Sequence, residues 1–199
     1  MLPISVVIPH RKSRADWFRE HCLPSVHANN PAEIWIEDWE GGACEKRNAG
    51  AAKANQYYLI FVDDDSILLP GALQTMIEAL ENDTGASFAY SDTKMVLYPG
   101  IPYPNPEGVR RAHPWSAGSL KYGNYVETMS LMRRSAFPGF DPSIERFQDW
   151  DLWLTLAAAG HRGVYIPKVL FELHHFDIGI SASVPFESAM AKIKHKHKL

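Results

Sequence analysis

The chain has 199 residues, of which 46% are hydrophobic and 22% charged, and its formal net charge is −3. This balance predicts one folded domain with a substantial core, and it excludes a disordered chain and a polycation that binds nucleic acid through bulk charge. No apolar run approaches the roughly 20 residues that a membrane-spanning helix needs. The sequence therefore predicts a globular protein without a transmembrane segment.

The two cysteines and the first residues indicate the compartment. Cys22 and Cys44 have neither the spacing of a metal site nor the pattern of a disulfide framework. The opening MLPISVVIPH lacks the charged start and the length of a signal peptide, so we expect it to begin the first strand. These features predict a cytoplasmic protein with reduced thiols.

Strands and helices alternate through residues 1–92. Strands are predicted at 4–8, 33–37, 56–62 and 87–91, where β-branched and aromatic residues form short runs. Helices are predicted at 15–28, 43–55 and 70–80; Ser13 would cap the first of them, and Pro24 would bend it or end it early. This order predicts a doubly wound α/β half with parallel strands.

Three consecutive carboxylates, Asp63, Asp64 and Asp65, follow the apolar run QYYLIFV. Adjacent acids repel one another and are costly to bury, and a divalent cation such as Mg²⁺ or Mn²⁺ would remove that cost. Ligands of open α/β sheets bind beyond the carboxyl ends of the strands. The cluster alone fits either a metal–phosphate site or a solvated acidic turn.

Polar residues also follow the first two strands. His10, Arg11 and Lys12 come after the first strand, where they could meet a nucleotide or form a solvated loop. Glu37 and Asp38 end the second strand, where a carboxylate could accept hydrogen bonds from a ribose or a uracil ring. The carboxyl ends of three strands therefore predict a ligand site.

The second half of the chain is less regular. Residues 98–114 contain five of the 14 prolines, which predicts a loop over the site. Strands are predicted at 126–132, 162–166 and 169–173, and helices at 148–159 and 184–199. His174 directly follows the last strand, where it is either a metal ligand or an ordinary core or surface histidine.

The predicted helix QDWDLWLTLAAAG places one acid on its apolar face. Leu152, Trp153 and Leu156 follow Asp149 at helical spacing, so Asp149 should point inward. A carboxylate in that position is usually paired or functional, and the alternative is a buried acid that stabilises the helix N-terminus. Asp151 is expected to cap the helix or face solvent.

The ordered motifs SVVIP, an acid pair after the second strand, KRNAG, FVDDDS, RRSAFPGFDPSIERFQDWDLWLTLAAAG and LFELHH resemble the family 2 glycosyltransferases of the GT-A fold. The resemblance covers residues 3 to about 180. It implies one GT-A domain over 1–199, with a mostly parallel central sheet, flanking helices and a small antiparallel addition. Residues 1–92 would form the nucleotide-binding half, 93–180 the acceptor-side half, and 181–199 a C-terminal helix and basic tail.

The resemblance also implies a reaction and its residues. Asp149 would be the general base of an inverting transfer, and Asp65 and His174 would hold Mn²⁺ or Mg²⁺. The residues implied in binding the nucleotide-sugar, which we expect to be UDP-linked, are Pro9, His10, Arg11, Glu37, Asp38, Arg47, Asp63 and Asp64. The expected acceptor is a saccharide or a lipid-linked saccharide, and the basic tail KIKHKHKL leaves a protein or nucleic-acid acceptor open.

The sequence departs from the family pattern at PHRK after the first strand, at Trp39 and at Gln148. Three other functions make different demands on the sequence. A sugar nucleotidyltransferase would need a glycine-rich loop, and PHRKSRAD contains no glycine. A non-catalytic nucleotide-sugar or glycan-binding module would not need Asp149 or the metal site. A glycosidase would need two carboxylates flanking the sugar and no metal.

Overall fold

The computed structural model describes residues 1–98, 108–175 and 184–199. The strands in these ranges are β1 Leu2–Pro9, β2 Pro31–Glu37, β3 Tyr58–Phe61, β4 Ser66–Leu68, β5 Phe88–Leu97, β6 Gly108–Arg110, β7 Leu131–Arg133 and β8 Gly163–His175. The α-helices are α1 Ala15–Trp17, α2 Leu23–Ala28, α3 Ala43–Lys53, α4 Ala72–Asn82, α5 Ala117–Leu120, α6 Gln148–Ala158 and α7 Phe186–His197. One sheet contains all these strands, with helices around it.

The strand order is β2-β1-β3-β7-β5-β8-β4, and β6 pairs with β5. β1 runs parallel to β2 and β3, and β5 runs parallel to β8. β7 is antiparallel to both β3 and β5, and β4 and β6 are antiparallel to β8 and β5. The predicted single α/β domain is confirmed. The long pairings β1–β2, β1–β3 and β5–β8 are parallel, as predicted, and the antiparallel part consists of the short strands β4, β6 and β7, with β7 inserted between β3 and β5.

The hydrophobic core occupies both faces of the sheet, because successive side chains of a strand point to opposite faces. Val6 and Ile8 of β1 pack in one cluster with Leu73 of α4. Val7, between them, packs in the other cluster with Trp153 of α6. Two-sided burial explains the unbroken apolar runs of the central strands. Polar side chains are therefore concentrated beyond the strand ends.

Residues 126–132 were predicted as a strand, but only Leu131–Arg133 forms one. The preceding backbone makes local bonds instead: Val126 N–H donates to Asn124 Oδ1, and Ser130 N–H donates to the carbonyl of Thr128. Farther along, the strands predicted at 162–166 and 169–173 form the single strand β8, whose pairing with β5 shifts register around Asp92.

The first helical segment begins earlier than predicted, with a 3₁₀ turn over Lys12–Arg14, and Ser13 makes no capping hydrogen bond. A π-helical turn, Phe18–Cys22, joins α1 to α2. Pro24 does not end the helix, because it lies in the first turn of α2, where a missing N–H is tolerated. Within this segment the Phe18 ring stacks on His10 at 4.3 Å, and the Trp17 ring lies 5.2 Å from that of His174.

Asp151 was predicted to cap the helix or face solvent, and it is instead 3% exposed. Lys196 Nζ lies 2.8 Å from its Oδ2 and His197 Nε2 lies 2.7 Å from its Oδ1. Lys196 also binds Asp141 at 2.8 Å, and Ile193 of α7 is fully buried. The basic tail therefore uses part of its charge to dock α7 against α6, a pairing that sequence reasoning missed because the partners are 45 residues apart.

Deleting residues 192–199 should destabilise the fold. The deletion removes buried Ile193, a loss worth about 2–5 kcal/mol, and leaves the Asp151 carboxylate buried without its cations. We expect the melting temperature to fall by roughly 5 °C or more in a thermal unfolding experiment. Lys194→Ala, at an exposed position of the same helix, is the control and should change stability by less than about 0.5 kcal/mol. A deletion variant that melts like the control would contradict this docking.

Both cysteines are free and buried, which agrees with the predicted reduced thiols. Burial raises the pKa of the Cys44 thiol to about 11 and raises that of Cys22 as well. Among the helices of the described ranges, none combines the length and the apolar composition needed to cross a bilayer.

Candidate active site

The acid cluster lies where β3 ends. Val62 N–H still bonds to Val7 of β1, and Ser66 N–H closes a turn onto the carbonyl of Asp63. Asp63, Asp64 and Asp65 occupy this turn, between β3 and β4, beyond the carboxyl ends of the parallel strands. Each of the three carboxylates has its own set of partners, so the cluster is not a simple solvated turn.

Asp64 is 2% exposed and binds the loop after β1 with both oxygens. Its Oδ2 accepts from the Arg11 backbone N–H at 2.7 Å and lies 3.1 Å from His10 Nδ1. Its Oδ1 accepts from Arg14 Nη1 at 2.7 Å. Pro9 precedes this loop and pairs with Glu37 of β2. Asp64 thus orders the loop that the sequence assigns to the nucleotide.

Asp65 is held less completely. Its Oδ2 lies 2.5 Å from Arg14 Nη1, and its backbone carbonyl accepts from the His174 N–H at 2.9 Å. Burial raises the pKa of the Asp65 carboxyl to about 7; Arg14 opposes this shift, and the neighbouring acids Asp63 and Asp64 add to it. An acid whose anion is under-compensated is a suitable oxygen donor for a divalent cation.

His174 is 9% exposed and lies beside Asp65 through that backbone bond. Its Nε2 is 3.1 Å from Glu172 Oε2, and its Nδ1 is 3.4 Å from the Tyr98 hydroxyl. In the described part of the chain, no three His, Cys, Asp or Glu side chains converge into a metal-ligating group. The structure therefore places the backbones of the two predicted ligands side by side, while the Asp65 carboxylate contacts Arg14 and the His174 ring contacts Glu172.

Arg47 joins the acid cluster to α6. The residue is 6% exposed; its Nη2 donates to Asp63 Oδ1 at 2.6 Å and its Nη1 donates to Gln148 Oε1 at 2.7 Å. This reach requires α3 to lie close to β1, and a Cβ at Gly50 would come within 2.4 Å of Val7. The family resemblance implies that Arg47 binds the nucleotide-sugar, and in the structure Arg47 bridges the end of β3 and the start of α6.

The two acids after β2 differ in their surroundings. Glu37 is 2% exposed and accepts from Lys53 Nζ at 2.7 Å and from Trp39 Nε1 at 2.9 Å. Asp38 is exposed, and Trp39 beside it is 41% exposed. Only one of the two predicted acids therefore faces outward at this strand end.

Asp149 is half-buried in the first turn of α6, on the inward side that the spacing predicted. Its Oδ2 accepts from Asn124 Nδ2 at 2.6 Å, and its Oδ1 accepts from the Trp150 N–H at 2.9 Å. Burial raises the pKa of this carboxyl above its ordinary value, although the Trp150 hydrogen bond, Arg110 and Arg47 oppose the shift. A half-buried carboxylate of raised pKa is suited to taking up a proton.

The tryptophans of α6 fix the position of that acid. Trp150 Nε1 donates to the carbonyl of Leu120 at 2.6 Å, and Trp153 Nε1 donates to that of Val126 at 2.9 Å. Both indoles are buried, so the start of α6 is anchored to the segment between α5 and β7. The indole N–H groups thus give Trp150 and Trp153 a structural role beyond the apolar face on which the spacing places Trp153.

Four residues around these acids were not singled out from the sequence: Arg14, Arg110, Asn124 and Glu127. Glu127 Oε1 lies 2.8 Å from Arg110 Nη1, and burial raises the pKa of the Glu127 carboxyl to about 7. Arg14 lies in the basic stretch after β1, which was a usable signal. The other three lie in irregular segments or short strands without a motif, so no local pattern could have revealed them.

Part of the predicted loop over the site, 99–107, lies outside the described residues, as do residues 176–183 of the predicted acceptor-side half and tail. In the described remainder, the His113 ring stacks on Tyr125 at 3.7 Å, and the Tyr90 hydroxyl donates to the carbonyl of His113 at 2.7 Å. These contacts tie the end of that loop region to β5.

The chain is similar to known proteins over most of its length. The sequence profile described as Glycosyl transferase family 2 matches residues 24–139. An uncharacterised glycosyltransferase, YwdF of Bacillus subtilis strain 168, is 28% identical over 154 residues, which are 73% of this chain and 55% of that protein. The chondroitin synthase of Pasteurella multocida strain Pm70 is 22% identical over 146 residues, 69% of this chain and 14% of that synthase.

Solved structures show the same fold. TarS of S. aureus in complex with UDP-GlcNAc superposes with a TM-score of 0.70 at 13% sequence identity, covering 98% of this chain and 65% of the TarS chain. The present chain spans about half the length of YwdF. Because the family profile matches more than half of the chain and the fold agrees, this protein belongs to glycosyl transferase family 2 and has a GT-A-type domain.

Proposed function

We propose that this domain transfers a sugar, with inversion, from a UDP-linked donor to an acceptor hydroxyl, with Asp149 as general base and a divalent cation as cofactor. The observation that carries the proposal is the double contact of Arg47. One guanidinium binds Asp63 of the acid cluster and Gln148, the neighbour of Asp149. Donor-binding acids and a candidate base are thereby held around one site.

In the proposed reaction, the acceptor hydroxyl lies beside Asp149, on the face of the sugar opposite the diphosphate. The carboxylate takes the hydroxyl proton as the oxygen forms a bond to the anomeric carbon. The bond from that carbon to the β-phosphate oxygen breaks with its electron pair, and UDP leaves. One displacement from the opposite face inverts the anomeric centre. Asn124 and the Trp150 N–H hold the carboxylate during this step.

Asp65 and His174 are the proposed metal-binding residues. The donor chemistry fits, because the Asp65 carboxyl is partly buried, shares Arg14 with a second acid and belongs to a residue that adjoins the His174 backbone. A bound Mn²⁺ or Mg²⁺ would neutralise negative charge on the departing diphosphate. Arg14, which binds both Asp64 and Asp65, supplies positive charge at the same place from the protein itself.

Separate groups of residues are proposed to bind the different parts of the nucleotide. Asp38 is the better candidate for binding the nucleobase, because Glu37 already binds Lys53 and Trp39. Pro9, His10 and Arg11 form the loop that Asp64 orders, and Asp63 would lie nearer the ribose. The complex of TarS with UDP-GlcNAc supports a UDP-linked donor, and the likeness to a chondroitin synthase supports a saccharide acceptor.

Thermal stabilisation tests the donor side of the proposal. We expect UDP and a UDP-sugar, but not GDP or CMP, to raise the melting temperature in the presence of Mn²⁺. At about 100 times Kd the gain should be about 2.7 kcal/mol, or roughly 5–10 °C. An equal rise without Mn²⁺ would exclude the metal, and a rise with GDP alone would exclude the UDP-linked donor.

A second measurement separates an enzyme from a binding module. Release of UDP from the stabilising UDP-sugar, followed across a panel of oligosaccharides, should increase with one class of acceptor. A protein that binds the nucleotide-sugar but releases no UDP with any acceptor would instead be a non-catalytic module.

A further inference from the structure

The side chain of Asn124 has a fixed orientation toward Asp149. Its Oδ1 accepts from the Val126 backbone N–H at 3.1 Å, which leaves its Nδ2 directed at Asp149 Oδ2, 2.6 Å away. The opposite carboxylate oxygen accepts from the Trp150 N–H. Each oxygen of Asp149 thus has one donor of known direction, and the remaining lone pairs are restricted to a narrow range of directions.

Three residues farther along the same segment, Glu127 forms an ion pair with Arg110. Glu127 Oε1 lies 2.8 Å from Arg110 Nη1, and the two side chains are 13% and 32% exposed. Arg110 belongs to β6, and Val126 beside Glu127 is anchored by Trp153 of α6. The pair is therefore built into the wall that carries Asp149, not into the outer surface.

Charged groups from several elements face one another in this wall. Arg110 favours the anionic forms of both Asp149 and Glu127, and Arg47 also favours that of Asp149. Asp149 and Asp63 disfavour the anion of Glu127, and Asp63 disfavours that of Asp149. The largest of these interactions, among the described residues, involve Arg47 of α3, Asp63 after β3, Arg110 of β6, Glu127 before β7 and Asp149 of α6. Three acids thus share two arginines.

We propose that Arg110, Glu127 and Asn124 are positioning residues for Asp149: Asn124 orients the carboxylate, and the Arg110–Glu127 pair controls its charge. The inference rests on the proposed role of Asp149 as the base. Arg110 holds Asp149 ionised and ready to accept a proton. Glu127 divides the positive charge of Arg110 between two carboxylates, and thereby keeps Asp149 basic enough to accept that proton near neutral pH.

Direct titration of Asp149 tests the proposal. Protein labelled with ¹³C at the aspartate carboxyls would be followed by NMR from pH 4 to 9, with the Asp149 resonance assigned by its loss in Asp149→Asn. Arg110→Met should raise the titration midpoint of the Asp149 carboxyl by about one pH unit or more, because a neighbouring positive charge is lost. Arg110→Lys should return it toward the wild-type midpoint, and Glu127→Gln should move it downward.

Arg111→Met is the matched control. Arg111 is adjacent in sequence, 75% exposed at its side chain, and paired with Asp92. Its loss should leave the Asp149 midpoint unchanged. Unmoved midpoints in both Arg110→Met and Glu127→Gln would overturn the inference. If Arg110→Met does not fold, the near-isosteric Glu127→Gln decides alone.

The proposed role of Asn124 is tested by a separate measurement of turnover and UDP affinity. Asn124→Ala should lower the rate of UDP release by about tenfold or more without changing the affinity for UDP, since the carboxylate loses orientation rather than the donor site losing contacts. Loss of UDP affinity in parallel would contradict a positioning role. Failure of the proposed function gives a different result: the midpoints would shift as expected, while Asp149→Asn would keep its turnover.

Discussion

Asp149→Asn should lower turnover by about 10²–10⁴-fold while the affinity for UDP stays within a factor of about two. An amide has nearly the shape of a carboxylate, but it cannot take up the proton of the acceptor hydroxyl. The acids proposed to bind the donor lie at the end of β3, and Arg47 should keep its contacts with Asp63 and Gln148 in the variant. Initial rates of UDP release at saturating donor, together with calorimetric titration of UDP, measure both quantities.

Glu145→Gln is a suitable control for that variant, because Glu145 is an exposed acid just before α6. It should keep wild-type turnover. If Asp149→Asn also kept wild-type turnover, Asp149 would have no role as the base. The amide oxygen can accept from only one of the two donors, the Asn124 amide or the Trp150 N–H, so some loss of stability is expected and the melting temperature of the variant is measured beside its turnover.

Asp65→Ala should abolish metal-dependent binding of UDP. Loss of a group that only supports a metal ligand typically costs 10–100-fold in metal affinity, so loss of a proposed ligand should cost at least about 100-fold. Calorimetric titration of UDP in the presence and absence of Mn²⁺ measures the effect. The wild-type protein should bind UDP more tightly with the metal, and the variant should bind it equally weakly in both conditions.

The stability of Asp65→Ala separates a binding defect from misfolding. Because burial disfavours the Asp65 anion, its removal should not lower the melting temperature of the unliganded protein. Arg14 keeps a carboxylate partner in Asp64. Asp83→Ala, which removes a half-buried acid paired with Arg162, is the control and should leave UDP binding unchanged. Undiminished metal-dependent binding in Asp65→Ala would refute the assignment.

The first half of the fold could be predicted because its pattern is local. β-branched runs mark β1, β2 and β3, and the acid cluster follows the third run directly. β7 could not be predicted with its neighbours, since a three-residue antiparallel insertion has no periodicity of its own. The α/β class, the parallel pairing of the long strands and the family were predicted correctly.

The candidate site was predictable where one residue type sits at one strand end or one helix face, as with Asp63–Asp65 and Asp149. Partners across long sequence separations were not predictable. Lys53 and Trp39 bury Glu37, and Lys196 and His197 bury Asp151, yet each acid alone resembles a surface carboxylate. The contact of Asn124 with Asp149 likewise depends on the packing of α6 against the segment that contains Asn124, which the sequence does not reveal.

The π-helical turn between α1 and α2 makes the length of this segment critical. Successive helical residues are about 100° apart, and one extra residue per turn lets the adjacent rings of Trp17 and Phe18 reach His174 and His10, respectively. Removing a single residue from Phe18–Cys22 would rotate both rings away from their histidines at once. Relatives with an ordinary α-helix here would therefore need different side chains to contact the residues at the positions of His10 and His174.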